Sequence, residues 1–271
     1  MDLSRLCIHT ETVKPLSLEE VARKFASHGI QSVSVWRHTL EVIGPANAGK
    51  MFRDHGIDVV SSVRGGFFPS ADPAKRREAI DQNKEAIEEA AELAAPLLVL
   101  VCGADPQQHP DKSREQITEA LEKLLPFAAQ TGVKLGIEPL HPMYADTRSV
   151  INTLKQANNL AERFDSPWLG VVVDLYHTWW DPELKTGIER CGKLDKIFAY
   201  HVCDWKVPTE DMLLDRGLMG EGCIPVHQIT EWIEQAGFTG PIEVEIFSKK
   251  YWSMDQDKYI ELIKESFGIN V

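Results

Sequence analysis

Residues 171–181 read VVVDLYHTWWD, and they lead an apolar strand pattern directly into a carboxylate and an imidazole. The three valines are typical of a strand that is buried on both faces. The pattern ends at Asp174, and His177 follows three residues later. Burying an unpaired carboxylate is very costly. Asp174 therefore requires a neutralising partner, or it lies at an open strand end where chemistry takes place.

Three further predicted strands end in a side chain that can bind a metal ion. The fifth strand, KLGIEP, brings Glu138, the seventh, IFAYHVCD, brings His201, and the eighth, IEVEIF, brings Glu245. Neighbouring strands lie about 4.8 Å apart, so side chains at equivalent strand ends can converge on one point. Three carboxylates alone would repel one another there. We therefore expect one divalent cation, with Glu138, Asp174, His201 and Glu245 as its ligands. This oxygen-rich set suits Mn²⁺, which we favour, as well as Mg²⁺, Co²⁺ or Zn²⁺.

Each of these side chains also has an ordinary structural interpretation. An aspartate at a strand end usually caps a helix, and a lone histidine in a strand is usually a core residue. Glu243 and Glu245 point the same way because a single residue separates them. One of the two could simply face solvent, and Glu245 is preferred as the ligand because it lies nearer the strand end. The set as a whole favours the metal site, because four side chains that can bind a metal rarely occur by chance at equivalent ends of adjacent strands.

Apolar strand patterns alternate with helical patterns along the whole chain. We predict strands over 5–9, 32–36, 58–63, 97–102, 134–139, 169–174, 197–204 and 242–247. The predicted helices cover 17–28, 46–55, 73–95, 112–131, 147–164, 182–191, 226–236 and 255–267. Eight strand–helix units in this length predict an α/β fold, a (β/α)₈ TIM barrel formed by a single domain over residues 1–271. Catalytic groups in such barrels lie at the C-terminal ends of the strands, and the long loops 64–72 and 204–224 are further candidates for function.

Composition narrows the classes of partner and compartment. Hydrophobic residues make up 43% of the chain, but no apolar run is long enough to span a bilayer, and the N-terminus has no signal-peptide pattern. The net charge of −12 argues against nucleic acid or an anionic membrane as a partner. The five scattered cysteines indicate reduced thiols and a cytoplasmic protein. A homo-oligomer is compatible with the sequence.

The motifs GIEPLH, VVVDLYH, HVCD, GEGCI and IEVEIF, in this order and spacing, resemble the sugar phosphate isomerase/epimerase family. This family belongs to the xylose isomerase-like TIM barrel superfamily. The resemblance implies that the four residues named above bind a single metal ion. It also implies that His177 contacts substrate, as does an arginine in the loop after the seventh strand, for which Arg216 is the candidate.

The chain departs from one branch of that family. Ketose 3-epimerases often carry a second glutamate at the position where this sequence has Tyr144. The departure argues against a specific ketohexose epimerase. His141 and Asp146, in the same EPLHPMYAD stretch, are the candidates for taking over its polar role.

Members of this family move or remove a proton next to a carbonyl group. A divalent cation bound to adjacent carbonyl and hydroxyl oxygens would stabilise an enediolate as a Lewis acid. Glu138 and Glu245, on opposite sides of the ligand set, are the expected catalytic groups. Returning the proton to the opposite face gives epimerisation, and returning it to the neighbouring carbon gives isomerisation. Loss of a β-hydroxyl gives dehydration instead, and the residues do not choose among these outcomes.

The expected partner is a small sugar or cyclitol. Trp36, at the end of the second strand, would offer a flat apolar wall to the C–H face of such a molecule. Arg37, Arg64 and Lys206 follow predicted strand ends and are candidates for binding a phosphate or carboxylate. Two alternatives stay open: a lyase that dehydrates an inosose or eliminates from a 3-keto-glycoside, and a non-catalytic sugar-binding barrel. The latter needs no pair of flanking carboxylates.

Overall fold

The computed structural model describes residues 3–271, and its centre is a closed barrel of eight parallel strands. Around the barrel, the strands follow the chain in order, and the last strand pairs with the first. The barrel strands are β1 (Leu6–His9), β2 (Ser32–Trp36), β3 (Asp58–Gly66), β4 (Leu97–Val101), β5 (Lys134–Ile137), β6 (Leu169–Asp174), β7 (Ile197–Val202) and β10 (Ile242–Val244). A short antiparallel pair, β8 (Asp204–Trp205) and β9 (Arg216–Gly217), lies in the loop after β7. The predicted single-domain TIM barrel is confirmed.

Helices follow the barrel strands and cover the outside of the barrel. They are α1 (Leu18–Ser27), α2 (Pro45–Asp54), α3 (Pro73–Leu93), α4 (Pro110–Thr131), α5 (Leu154–Phe164), α6 (Leu175–Thr178), α7 (Leu184–Lys193), α8 (Val226–Gln235), α9 (Lys249–Trp252) and α10 (Gln256–Asn270). Short 3₁₀ turns cover Arg37–Leu40 and Pro142–Tyr144. Among residues 3–271, no helix is both long and apolar enough to cross a membrane.

The predicted start of the fifth helix at residue 147 is wrong. The helix begins at Leu154, because the Thr153 side chain accepts a hydrogen bond from the Gln156 backbone and Gln156 bonds back in a capping box. Residues between Glu138 and Thr153 therefore form a long segment, with one 3₁₀ turn, across the C-terminal end of the barrel. That segment brings side chains to the site that a longer helix would have held outside it.

Successive side chains along a strand point alternately into and out of the barrel, and this alternation determines which residues lie inside it. In β6, Val171 and Val173 pack among the large core between strands and helices, whereas Val172 belongs to a small apolar cluster inside the barrel. Because successive side chains point to opposite faces, Asp174 points inward like Val172. The same alternation turns His201 inward on β7, two residues after Ala199 of the inner cluster. Inward positions near the strand ends are thus the ones that carry the polar residues.

Candidate active site and metal centre

Four side chains predicted as metal ligands lie together at the C-terminal end of the barrel. One ligand atom from each can be chosen so that all four lie within 4.8 Å of one another. Asp174 and His201 are direct partners in the β6–β7 register. The set consists of Glu138, Asp174, His201 and Glu245, each no more than 5% exposed.

The His201 imidazole lies between carboxylates on both of its nitrogen atoms. Its Nδ1 is 3.1 Å from Glu138 Oε1, and its Nε2 is 3.6 Å from Glu243 Oε2. Glu243 is itself buried and is 3.2 Å from His9 Nε2, while Ser61 Oγ donates to it at 2.8 Å. Glu243 therefore points into the barrel one layer below Glu245 and does not face solvent. Its position beneath the histidine is that of an outer-shell carboxylate that orients a metal ligand.

The donor set fits one divalent ion. Glu138 Oε1 and His201 Nδ1 are buried and have no hydrogen-bond partner among the described residues, although they are 3.1 Å apart. Two ligands at about 2.1 Å from a common ion lie roughly 3 to 3.4 Å apart, so these two atoms have the spacing of neighbouring ligands. Buried polar atoms without a partner are rare in folded proteins. A cation at this point would satisfy both atoms.

The pKa values of two carboxyl groups in the cluster are shifted in opposite directions. Burial raises the pKa of Asp174 to about 7; Arg216 opposes the rise, while the Glu245 and Glu138 carboxylates add to it. Burial also opposes ionisation of Glu245, but Arg216, His9 and His201 outweigh it and hold the pKa of this carboxyl below its usual range. One carboxylate of the cluster is thus difficult to ionise without a further positive charge. A divalent cation supplies such a charge.

Arg216 reaches the cluster from β9, in the loop after β7. Its Nη1 donates to Glu245 Oε2 at 2.7 Å and to Asp174 Oδ2 at 3.5 Å, and the guanidinium lies 4.3 Å from the ring centre of Tyr176. The residue is 2% exposed. The predicted contact residue therefore lies against two of the predicted metal ligands, where it orients their carboxylates.

The loop that carries Arg216 is held by Asp204. The Asp204 carboxylate accepts hydrogen bonds at 2.9 Å from the backbone N–H groups of Gly220, Gly222 and Ile224. A Cβ atom at Gly222 would lie 2.1 Å from the Trp205 carbonyl oxygen, so only glycine fits there. The glycines of this loop thus allow it to fold back on its own start, and this packing places Arg216.

Asp174 and His177 combine structural and chemical roles. Asp174 Oδ1 caps α6 by accepting a hydrogen bond from Tyr176 N at 2.6 Å. Asp174 is therefore both a helix cap and a member of the ligand cluster. Arg216 Nη2 is 3.4 Å from His177 Nε2, and arginine has only donors, so that nitrogen accepts. Burial and Arg216 hold the pKa of His177 well below its usual value, so the ring is neutral. Its proton is then on Nδ1, which is buried without a partner among the described residues.

The cavity above the cluster contains some of the predicted substrate-binding residues. Trp36, His177 and Arg216 line it together with Glu138 and Glu245. His141 is not among the described residues that line this cavity. It stacks on Trp205 with ring centres 5.2 Å apart and caps the 3₁₀ turn at Met143, so it supports the segment above the site.

Two further side chains at the cavity, and one beside the ligand cluster, were not proposed as site residues from the sequence. Tyr144 and Arg148 line it because α5 starts late, and the Tyr144 hydroxyl donates to the Met212 carbonyl at 3.0 Å. His9, on β1, lies between Glu243 and Glu245, with its Nδ1 3.3 Å from Glu245 Oε1. The inward position of His9 at a strand end was a usable signal. The position of Tyr144 was noted only because ketose 3-epimerases often carry a glutamate there, and nothing in the sequence pattern identified Arg148.

Known proteins resemble the chain over most of its length. It is 26% identical over 231 residues to the inosose isomerase of Bacillus velezensis, and this match covers 82% of this chain and 78% of that protein. It is 28% identical over 245 residues to the 3-dehydroshikimate dehydratase of Pseudomonas putida, and this match covers 86% of this chain but only 36% of that enzyme. These relatives are enzymes that catalyse an isomerisation and a dehydration.

A solved structure and a family model agree with this resemblance. The crystal structure of protein SMc04130 from Sinorhizobium meliloti 1021 superimposes with a TM-score of 0.96 at 42% identity, and the match covers 99% of each chain. The family model described as xylose isomerase-like TIM barrel matches residues 18–266. With this match and the closed parallel barrel, the chain belongs to the xylose isomerase-like TIM barrel family.

Proposed function

We propose that this protein is a divalent-metal-dependent isomerase or epimerase that moves a proton next to the carbonyl group of a small sugar or cyclitol. The observation that carries the proposal is the placement of two carboxylates of the ligand cluster on opposite sides of it. Glu138 follows β5 and Glu245 follows β10, at opposite ends of the arc formed by β5, β6, β7 and β10. Both line the same cavity, so both can reach one bound molecule. A non-catalytic sugar-binding barrel would have no need for this pair.

The ion would be held by Glu138, Asp174, His201 and Glu245, and when bound it would polarise neighbouring carbonyl and hydroxyl oxygens of the substrate. Mn²⁺ is our proposal for it, because three oxygen donors and one nitrogen suit this ion. We also propose that the protein works in the cytoplasm, since all five cysteines are unpaired and four of them are buried.

The protein's own side chains would carry the proton. Glu245, held ionised by Arg216, would take the proton from the substrate carbon. In an epimerisation, Glu138 on the other side of the arc would start protonated and give its own proton to the opposite face of that carbon. In an isomerisation, Glu245 would return the abstracted proton to the neighbouring carbon. The neutral His177 donates its free Nδ1–H to a substrate oxygen and so fixes the orientation of the molecule. The Trp36 ring forms an apolar wall of the cavity. Whether the product is an epimer or an isomer depends on the carbon that receives the proton.

A dehydratase or other lyase is the second candidate. The resemblance to 3-dehydroshikimate dehydratase favours it, because that enzyme's name describes loss of water from a keto acid. The same abstraction of a proton followed by loss of a β-hydroxyl would give this outcome.

Deuterium exchange tests both candidates. The metal-loaded protein is incubated in D₂O with ketohexoses, inososes, hydroxypyruvate and 3-dehydroshikimate, and NMR follows the loss of the C–H signal next to the carbonyl. Exchange with formation of an epimer or isomer supports the first candidate, and appearance of a dehydrated product supports the second. Absence of exchange for the whole panel, or full activity after exhaustive chelation, would refute the proposal.

A further inference from the structure

Two arginines at the cavity have no anionic partner. Arg64 and Arg148 both line the cavity beside the ligand cluster. Within residues 3–271, neither side chain donates a hydrogen bond or forms an ion pair. Arg216, the third arginine at this cavity, contrasts with them because two carboxylates accept its hydrogen bonds. Guanidinium groups without a partner are unusual in a part-buried setting, since each carries five donors.

Aromatic rings hold both guanidinium groups in place. Arg64 lies 5.6 Å from the ring centre of Trp36 and 4.8 Å from that of Phe67, and Arg148 lies 5.2 Å from that of Tyr144. Contacts of this kind attract the positive charge but use no carboxylate. Both cations are therefore positioned while their N–H donors stay available.

The backbone also directs Arg64 toward the site. The pairing of β3 with β4 shifts its register between Val63 and Gly65, so Arg64 is the extra residue of an irregularity in the strand. Such bulges re-aim side chains and are common next to active sites. Both arginines line the same cavity, and the positive charge of Arg148 adds to burial in lowering the pKa of Arg64.

The charge balance of the site leaves these two cations uncompensated. The three carboxylates of the ligand cluster would be matched by Arg216 and by the one divalent ion proposed above. Glu11, another acidic residue near Arg64, is held by Lys14 at 2.6 Å. Glu243 lies a layer lower, against His9 and His201. With that ion bound, the two positive charges at the cavity would have no carboxylate left to balance them, and within residues 3–271 neither forms an ion pair.

We propose that Arg64 and Arg148 form an anion subsite, and that the substrate is a keto compound carrying a carboxylate or phosphate group a few bonds from the reacting carbon. This inference rests on the proposed function, because it takes the cavity as the substrate site. Arginine suits either anion, since its planar donors match both carboxylate and phosphate oxygens. The anion would fix one end of the molecule while the carbonyl end lies over the ligand cluster.

Matched charged and neutral ligands test the subsite and distinguish the two anions. The metal-loaded protein is titrated calorimetrically at constant ionic strength with L-ribulose 5-phosphate against L-ribulose, and with 3-dehydroshikimate against its methyl ester. We expect the charged member of at least one pair to bind tenfold or more tightly than its neutral partner. The phosphate pair and the carboxylate pair then report which anion the subsite takes.

Variants assign the preference to the two arginines. Arg64→Met and Arg148→Met should each weaken binding of the charged member by roughly tenfold to a hundredfold, the range for a lost charged hydrogen bond. Binding of the neutral member should change by less than about threefold, and the lysine variants should restore part of the preference. Arg53→Met, on the exposed surface of α2, removes the same charge and should leave all four affinities unchanged.

The inference is overturned if charged and neutral members bind alike in both pairs, or if none of the four compounds binds. It is also overturned if the arginine variants weaken both members of a pair equally, as lost packing would. Deuterium exchange on the same compounds separates this inference from the proposed reaction. Arginine-dependent anion binding without exchange refutes the reaction alone, whereas equally efficient exchange in charged and neutral members refutes the subsite alone.

Discussion

Glu243→Gln should weaken metal binding although Glu243 is not one of the four proposed ligands. The substitution keeps the size of the side chain and one oxygen, but it removes the negative charge beneath His201 Nε2. That charge favours a His201 ring whose Nε2–H points at Glu243, leaving Nδ1 free for the ion beside Glu138. Loss of an outer-shell partner of this kind typically costs 10- to 100-fold in metal affinity.

The distances place the expected effect at the lower end of that range. Glu243 Oε2 is 3.6 Å from His201 Nε2, longer than a normal hydrogen bond, and it is shared with Ser61 at 2.8 Å and His9 at 3.2 Å. We therefore expect the dissociation constant for Mn²⁺ or Zn²⁺ to rise by about tenfold, or about 1.4 kcal/mol. Competition with a chromophoric chelator measures it directly.

Two comparisons make the measurement decisive. Glu234→Gln removes a carboxylate from an exposed ion pair with Arg5 and should leave metal affinity unchanged. Thermal unfolding of each metal-free variant checks that the fold is retained. Unchanged affinity in Glu243→Gln would show that this carboxylate does not orient His201. Complete loss of metal in Glu243→Gln, with metal retained in Glu138→Gln, would place the ion in the lower group of His9, His201 and Glu243 instead.

Four other predictions concern the cluster and Arg216, which contacts it. Glu245→Gln should slow deuterium exchange by about 10²-fold or more, the scale of general base catalysis, and added metal should not restore it. Asp174→Asn should bind metal more weakly, and excess metal should partly restore exchange; the opposite pattern of rescue would reverse the two roles. Arg216→Met should lower kcat/KM by about tenfold or more while one ion per chain stays bound, and unchanged kinetics would contradict its role. Because burial raises the pKa of Asp174 from 3.8 to about 7, the metal-free fold loses stability as pH rises between these two values, and the loss is complete only above about 7. Added metal should therefore raise Tm more at pH 8 than at pH 6; an equal gain would contradict this.

The sequence by itself determined the barrel and the residues at the ends of its strands. Alternation of side chains along a strand is a local property, and parallel strands in a barrel bring equivalent ends to one edge. For that reason Asp174 and His201 could be placed together from their positions in two predicted strands. Glu243 was visible in the same way as a side chain pointing in the same direction as Glu245.

The tertiary structure alone decided which loop residues reach the cavity and what each contacts. Arg216 meets Asp174, 42 residues away along the chain, because Asp204 folds the loop back on itself. Arg148 lines the cavity because Thr153 delays the start of α5, whereas His141, from the same segment, packs outside it. Loop side chains are oriented by contacts with residues that are distant in sequence. The regular spacing of side chains along a strand or helix does not predict such contacts. Strand ends are therefore predictable from sequence, and the loops that complete the site are not.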